Sequence, residues 1–167
     1  MNPKDYYYTN FRQQFADFIQ KSKAHEHPNE GTYIPIQELN AENLNHIPQE
    51  ERMLFFCSLA GTILIDQVIY THFKNDYQKF REMTLYPKIE YGISNINANP
   101  WDIAQRGSGL TTFEKFAEFF AQDLKEFFGK NRFEAATWEA VKKAMLNDSD
   151  VSRGSYGKIF VDILNRI

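Results

Sequence analysis

A single cysteine, Cys57, stands in the whole chain, so no intrachain disulfide can staple it. It lies inside an apolar run, where the ordinary reading is a small buried hydrophobe in a reducing compartment. A reactive thiol needs exposure and a cationic neighbour, and the adjacent sequence supplies neither. The motifs of phosphate, metal and acyl-transfer chemistry are missing as well: GxxxxGK[ST], GxGxxG, HExxH, CxxC and GxSxG do not occur. No pattern asks for a cofactor or a metal, and none names a catalytic residue. A scattered triad leaves no motif, so the expectation of a non-enzyme rests on the lack of positive signals.

Charge of one sign is equally scarce. Nineteen basic residues stand against 22 acidic ones, a net charge of −3. General binding to nucleic acid or anionic membrane needs a concentrated basic surface, which this balance argues against. Apolar runs are short: Met53 to Ile65 gives thirteen residues before Asp66 interrupts, against about 20 for a bilayer core. The opening MNPKDYYYTNFRQQF has no uninterrupted apolar core of a secretory signal. The expectation is a cytoplasmic protein without a membrane span.

What is present points to helices. The stretch Met53–Tyr70, MLFFCSLAGTILIDQVIY, is apolar almost all the way round. A helix without a polar face has to be enclosed by neighbours, so it is expected to be the central strut, extending over about 48–83 along the aromatic stripe Phe73, Tyr77 and Phe80. Pro48 suits its start, with Gln49, Glu50 and Glu51 complementing the dipole in the first turn. Before it, Lys4 to about Ala24 reads as amphipathic, Phe11, Phe15, Phe18 and Ile19 falling at helical spacing. Asn40 to His46 reads as a short helix.

After the strut, 85–110 is irregular, with a short strand or ribbon available in 85–100 where Ile89, Tyr91 and Ile93 alternate with polar or small residues. Thr111 and Glu114 form a capping-box pattern before the stripe Phe113, Phe116, Phe120, Leu124, Phe127 and Phe128, and Gly129 marks its stop. Asn131 with Glu134 predicts the start of another helix running to about Leu146, and a last helix holds Tyr156, Ile159, Phe160, Ile163 and Leu164. The fold class is all-α: one domain over 1–167, a bundle of five or six helices around the apolar one. A chain of 167 residues buries roughly 70% of its unfolded surface, enough for a core without disulfides or metals.

Four groups of residues invite a functional reading. Asp66 and Tyr70, four apart, share a helix face, and His72 and Asp76 share another; a buried acid beside a tyrosine is raw material for acid–base work or a ligand pocket. Buried polar groups are usually hydrogen-bonded for structural reasons, so this alternative is the weaker one. His25-Glu26-His27 falls short of the three or four ligands a zinc site needs and reads as a solvated loop. Arg106-Gly107-Ser108-Gly109 and Arg153-Gly154-Ser155-Tyr156-Gly157 each precede a helix. Free N–H groups with an arginine can hold an anion there, making Arg106 and Arg153 candidate anion ligands. Lys125, Phe127, Phe128, Lys130, Arg132 and Phe133, like Lys74, Tyr77, Lys79, Phe80 and Arg81, interleave cations and rings as single-strand binders do, but the rings sit at core-facing spacing.

Aromatic residues are in surplus: fifteen Phe, nine Tyr and two Trp. Tyr6, Tyr7 and Tyr8 point in three directions on a helix, so at least one is expected at the surface, where tyrosine favours protein interfaces. Trp101, in the irregular segment, is a second candidate anchor. The leading expectation is a non-catalytic domain that binds another protein. The favoured partner class is a basic enzyme or toxin, neutralised as an inhibitor or immunity protein would do it, since small acidic proteins complement basic ones. The alternative is a small helical enzyme or ligand-binding protein with a pocket near Asp66 and Tyr70.

Overall fold

The computed structural model describes residues 10–21, 25–27, 31–33, 44–83, 100–105 and 110–167. In chain order the helices are α1 (Phe11–Lys21), α2 (Gln49–His72), α3 (Lys74–Met83), α4 (Pro100–Gln105), α5 (Leu110–Phe128), α6 (Trp138–Leu146) and α7 (Gly154–Arg166). Helices α2 and α3 are two parts of one helical stretch interrupted at a single residue, Phe73, so the described helical units number six. The architecture is all-α around a buried apolar helix.

Helix α2 is that strut, and its lack of a polar face has a direct cause. Met53, Cys57, Ala60, Leu64, Ile65, Val68 and Ile69 face the main core with α5, α6 and α7. Leu54, Phe55, Phe56, Leu59 and Ile63 face a second cluster with Phe11, Phe15 and Phe18 of α1, Leu44, Ile47 and Ile103. Phe11, Phe15 and Phe18 line up on one face of α1 as their spacing predicts, each within ring contact of Phe55. By length and composition Glu51–His72 could cross a bilayer, yet 78% of that apolar window is enclosed by the other elements. At the start of α2, Pro48 takes the cap position, and Gln14 of α1 donates to the Glu51 carboxylate at 2.6 Å.

The expected unbroken helix over 48–83 is corrected. Phe73 has φ −135° and ψ 54°, and its N–H still closes on the Ile69 carbonyl. Neither proline nor glycine causes this elbow. The next turn restarts with the Asp76 N–H on the Phe73 carbonyl, and the bonds of the Asp76 side chain to the segment before α6 hold it.

Four further readings differ. Thr111 lies inside α5, which includes Leu110, so it is not the cap of a capping box. Asn131 does not open a helix: it adopts φ 54°, a conformation that asparagine tolerates better than most residues. The chain stays irregular to Thr137, whose Oγ1 accepts the Ala140 N–H at 3.2 Å and caps α6. Pro100–Gln105, read as irregular, forms the short helix α4, which presses Trp101, Ile103 and Ala104 inward. The loop read around His25 contains a small antiparallel ribbon, β1 (His25–His27) on β2 (Gly31–Tyr33), with His25 opposite Tyr33. The strand available in 85–100 falls almost wholly outside the described residues.

Candidate functional site

The elbow at Phe73 gathers the residues with chemical interest. Just before it, Tyr70 is 51% exposed, the one large hydrophobic side chain among the described residues that stands out from the surface. Its ring meets that of Tyr77 edge to face at 5.0 Å. The Tyr77 hydroxyl donates to both oxygens of Asp66, at 3.2 and 3.3 Å, and the Arg81 guanidinium lies 6.0 Å from the Tyr77 ring. Asp66 is half-buried rather than sealed in the core. Tyr77 thus touches both Asp66 and Tyr70, the two residues that the sequence places on one helix face. Positions 66 and 70 are four apart on α2, a shared face readable from helical spacing; Tyr77 lies beyond the break at Phe73, and spacing does not place it there.

His72 and Asp76 do not pair with each other. His72 Nε2 lies 3.5 Å from Asp148 Oδ2, in the loop between α6 and α7. Asp76 is 3% exposed and turns to the irregular segment before α6. There it accepts three successive backbone N–H groups: Glu134 on Oδ1 at 2.9 Å, Ala135 and Ala136 on Oδ2 at 2.8 Å each. Burial pushes this carboxyl upward, but the three backbone donors, with Lys79 nearby, outweigh it and hold the group below the usual carboxylate range.

Trp101 is not a surface anchor. It is 1% exposed, with its Nε1–H donated to the Val151 carbonyl at 2.7 Å and its ring packed on Phe113 and Phe160. An indole N–H that finds a carbonyl can be buried outright. Arg153 stands at the start of α7 as expected, but its guanidinium is met by Asp150 at 3.1 Å, with Asp148 close by in sequence. Tyr6, Tyr7, Tyr8 and Arg106 lie outside the described residues. Cys57 is sealed in the core, its thiol pushed up by burial, with Met53 Sδ 3.4 Å from its sulfur.

The two basic–aromatic segments come together, though as a roofed core. Phe80, Phe128 and Phe133 are buried, and Phe127 is half-buried against them. Arg132 covers Phe127 at 4.8 Å and Lys79 covers Phe133 at 5.9 Å. A surface groove along α5 is lined by Phe119, Gln122, Asp123, Lys125, Glu126 and Lys130, and does not reach Asp66. Among the described residues no group of three or more potential metal ligands converges. No protein-family model, curated protein or solved structure matches this chain.

Proposed function

We propose that this chain is a non-catalytic, cytoplasmic protein-binding domain of the inhibitor or immunity type, which neutralises a basic partner enzyme or toxin. The observation that carries the reading is Tyr70. An exposed ring costs solvation, and this one is held in a fixed pose by the edge-to-face contact with Tyr77, itself fastened to Asp66. A pre-set tyrosine loses little entropy on binding and is a common hot-spot residue. The half-buried carboxylate beside it and the net charge of −3 favour a partner that presents cations.

The test is capture of a partner by the tagged protein, followed by Tyr70→Ala. Because Tyr70 is 51% exposed, the substitution is expected to lower the melting temperature only slightly while weakening the complex by roughly tenfold or more. Recovery of the protein alone, or a Tyr70→Ala complex of undiminished affinity, overturns the reading.

A second reading draws on the Tyr77–Asp66 hydrogen bond, which a small ligand-binding protein or enzyme would use to fix a polar ligand. It predicts a small molecule that raises the melting temperature of the wild type and fails to do so with Asp66→Asn. A screen without such a compound removes it.

A further inference from the structure

In the irregular segment between α5 and α6, three backbone donors meet a single side chain. Glu134, Ala135 and Ala136 present three consecutive N–H groups to one carboxylate, at 2.9, 2.8 and 2.8 Å. Successive amides that converge in this way form a concave positive nest, the same device that holds phosphates and carboxylates in anion sites. Three residues upstream, Asn131 takes a positive φ of 54°. The Lys79 ammonium adds positive potential from α3.

We infer that the Glu134–Ala136 turn is a built oxyanion site for a small carboxylate, with Asp76 as the ligand that the chain supplies to itself. Asp76 reaches it from another helix, 58 to 60 positions away in sequence, so the nest is not a local by-product of the aspartate's own turn. The Asp76 side chain is sealed from solvent, so its removal leaves a small cavity with three aimed donors and no acceptor. The Ala variant lacks a carboxylate and little else, and formate has the size to replace it. Acetate is one carbon larger and propionate two.

The experiment is chemical rescue of Asp76→Ala. Melting temperature is followed while sodium formate replaces sodium chloride at constant ionic strength, beside acetate, propionate and the wild type. The variant is expected to melt roughly 5–10 °C below the wild type, and formate is expected to restore at least half of that loss saturably. Acetate should do less, propionate nothing, and the wild type should not respond. Formate should also move the backbone amide resonances of 134–136 in the variant alone. Where Asp76→Ala does not fold in chloride, recovery of helical circular dichroism on refolding into formate reports the same rescue. No difference between formate and chloride, or an equal response from the wild type or from all three carboxylates, overturns the site.

Discussion

His72 and Asp76 lie one helical turn apart in sequence and hold opposite ends of α6. Asp76 grips the segment that leads into it, at Glu134, Ala135 and Ala136, and His72 meets Asp148 just beyond its C-terminus. The elbow at Phe73 is what allows this. In an unbroken helix both side chains would project from neighbouring positions on one surface. With the break, the imidazole and the carboxylate diverge across the length of α6. The two grips are unequal, because the Asp76 bonds are buried and charge-assisted, whereas a solvent-exposed His–Asp contact contributes little.

That inequality sets the first prediction. Removing the Asp76 carboxylate leaves three backbone donors without an acceptor, and Asp76→Ala is expected to destabilise the fold by about 3 kcal/mol. The pH dependence follows from the direction of the shift. In the unfolded chain the carboxyl titrates near an ordinary value of about 3.9; in the folded chain it titrates lower. Its contribution is therefore present above the unfolded value and is lost as pH falls from there through the folded one. Urea midpoints measured from pH 6 down to pH 2 should fall more steeply for the wild type than for Asp76→Asn. Parallel curves would show that another carboxylate governs acid unfolding.

Gly157 gives a prediction about packing. A Cβ placed there would come within 2.5 Å of the Val151 carbonyl oxygen and 2.6 Å of the Ser152 carbonyl carbon. Both are backbone atoms of the turn that α7 folds back upon, so the clash has no flexible side chain to absorb it. Gly157→Ala gains about 1 kcal/mol of helix propensity and is still expected to lose about 2 kcal/mol net from overpacking. Gly61 is the control. Its Cβ would meet the Phe120 ring tip at 2.9 Å, a side chain that can shift where backbone cannot, though it is buried against Phe116 and Phe160. Gly61→Ala is therefore expected to cost about 1 kcal/mol, less than Gly157→Ala. Reversal of that order in a denaturant titration would place the rigid contact at α2–α5 instead.

Periodicity carried the parts of this fold that repeat. The stripe from Phe113 to Phe128 and the all-round apolar α2 both follow from spacing alone, because burial acts on every turn of a helix. What could not be read was decided by single distant contacts. No residue near Phe73 announces a break; the bonds that accompany it join Asp76 to amides 58 to 60 positions later. Asn131 carries a legitimate capping signal, but asparagine also suits a positive φ, and the structure uses that property and leaves the cap to Thr137. Trp101 reads as available because its flanks are irregular, whereas a carbonyl 50 residues away takes up its one polar atom. Of the candidate site, the shared face of Asp66 and Tyr70 was legible, whereas Tyr77 joins it across the break at Phe73, which spacing did not announce.

Trp101 supports a third prediction. Trp101→Phe preserves a ring against Phe113 and Phe160 but deletes the donor to the Val151 carbonyl. A buried acceptor left unpaired, together with the smaller ring, is expected to cost about 2–3 kcal/mol. The local signature is faster amide exchange through the 148–152 turn, where Asp148 Oδ1 accepts the N–H groups of Asp150 and Val151. Loss of stability without that local change would assign the effect to ring volume alone.

The Tyr77–Asp66 contact can be separated from mere packing by a double-mutant cycle. Tyr77→Phe removes only the hydroxyl that bridges the two carboxylate oxygens at 3.2 and 3.3 Å. Asp66→Ala removes the acceptor from a half-buried position, so its cost should fall at the lower end of the range for a buried polar group, about 1 kcal/mol. The coupling between the two is expected at about 0.5–1.5 kcal/mol, since a hydrogen bond to a charged acceptor outweighs an exposed neutral one. The consequence for binding is sharper than that for stability. With Tyr77→Phe the ring against Tyr70 stays but loses its tether to Asp66, so affinity for a captured partner should fall even though Tyr70 itself is intact. A cycle with no coupling, and binding that ignores Tyr77→Phe, would mean that Tyr70 orients itself without the network, and that Asp66 serves the elbow rather than the surface.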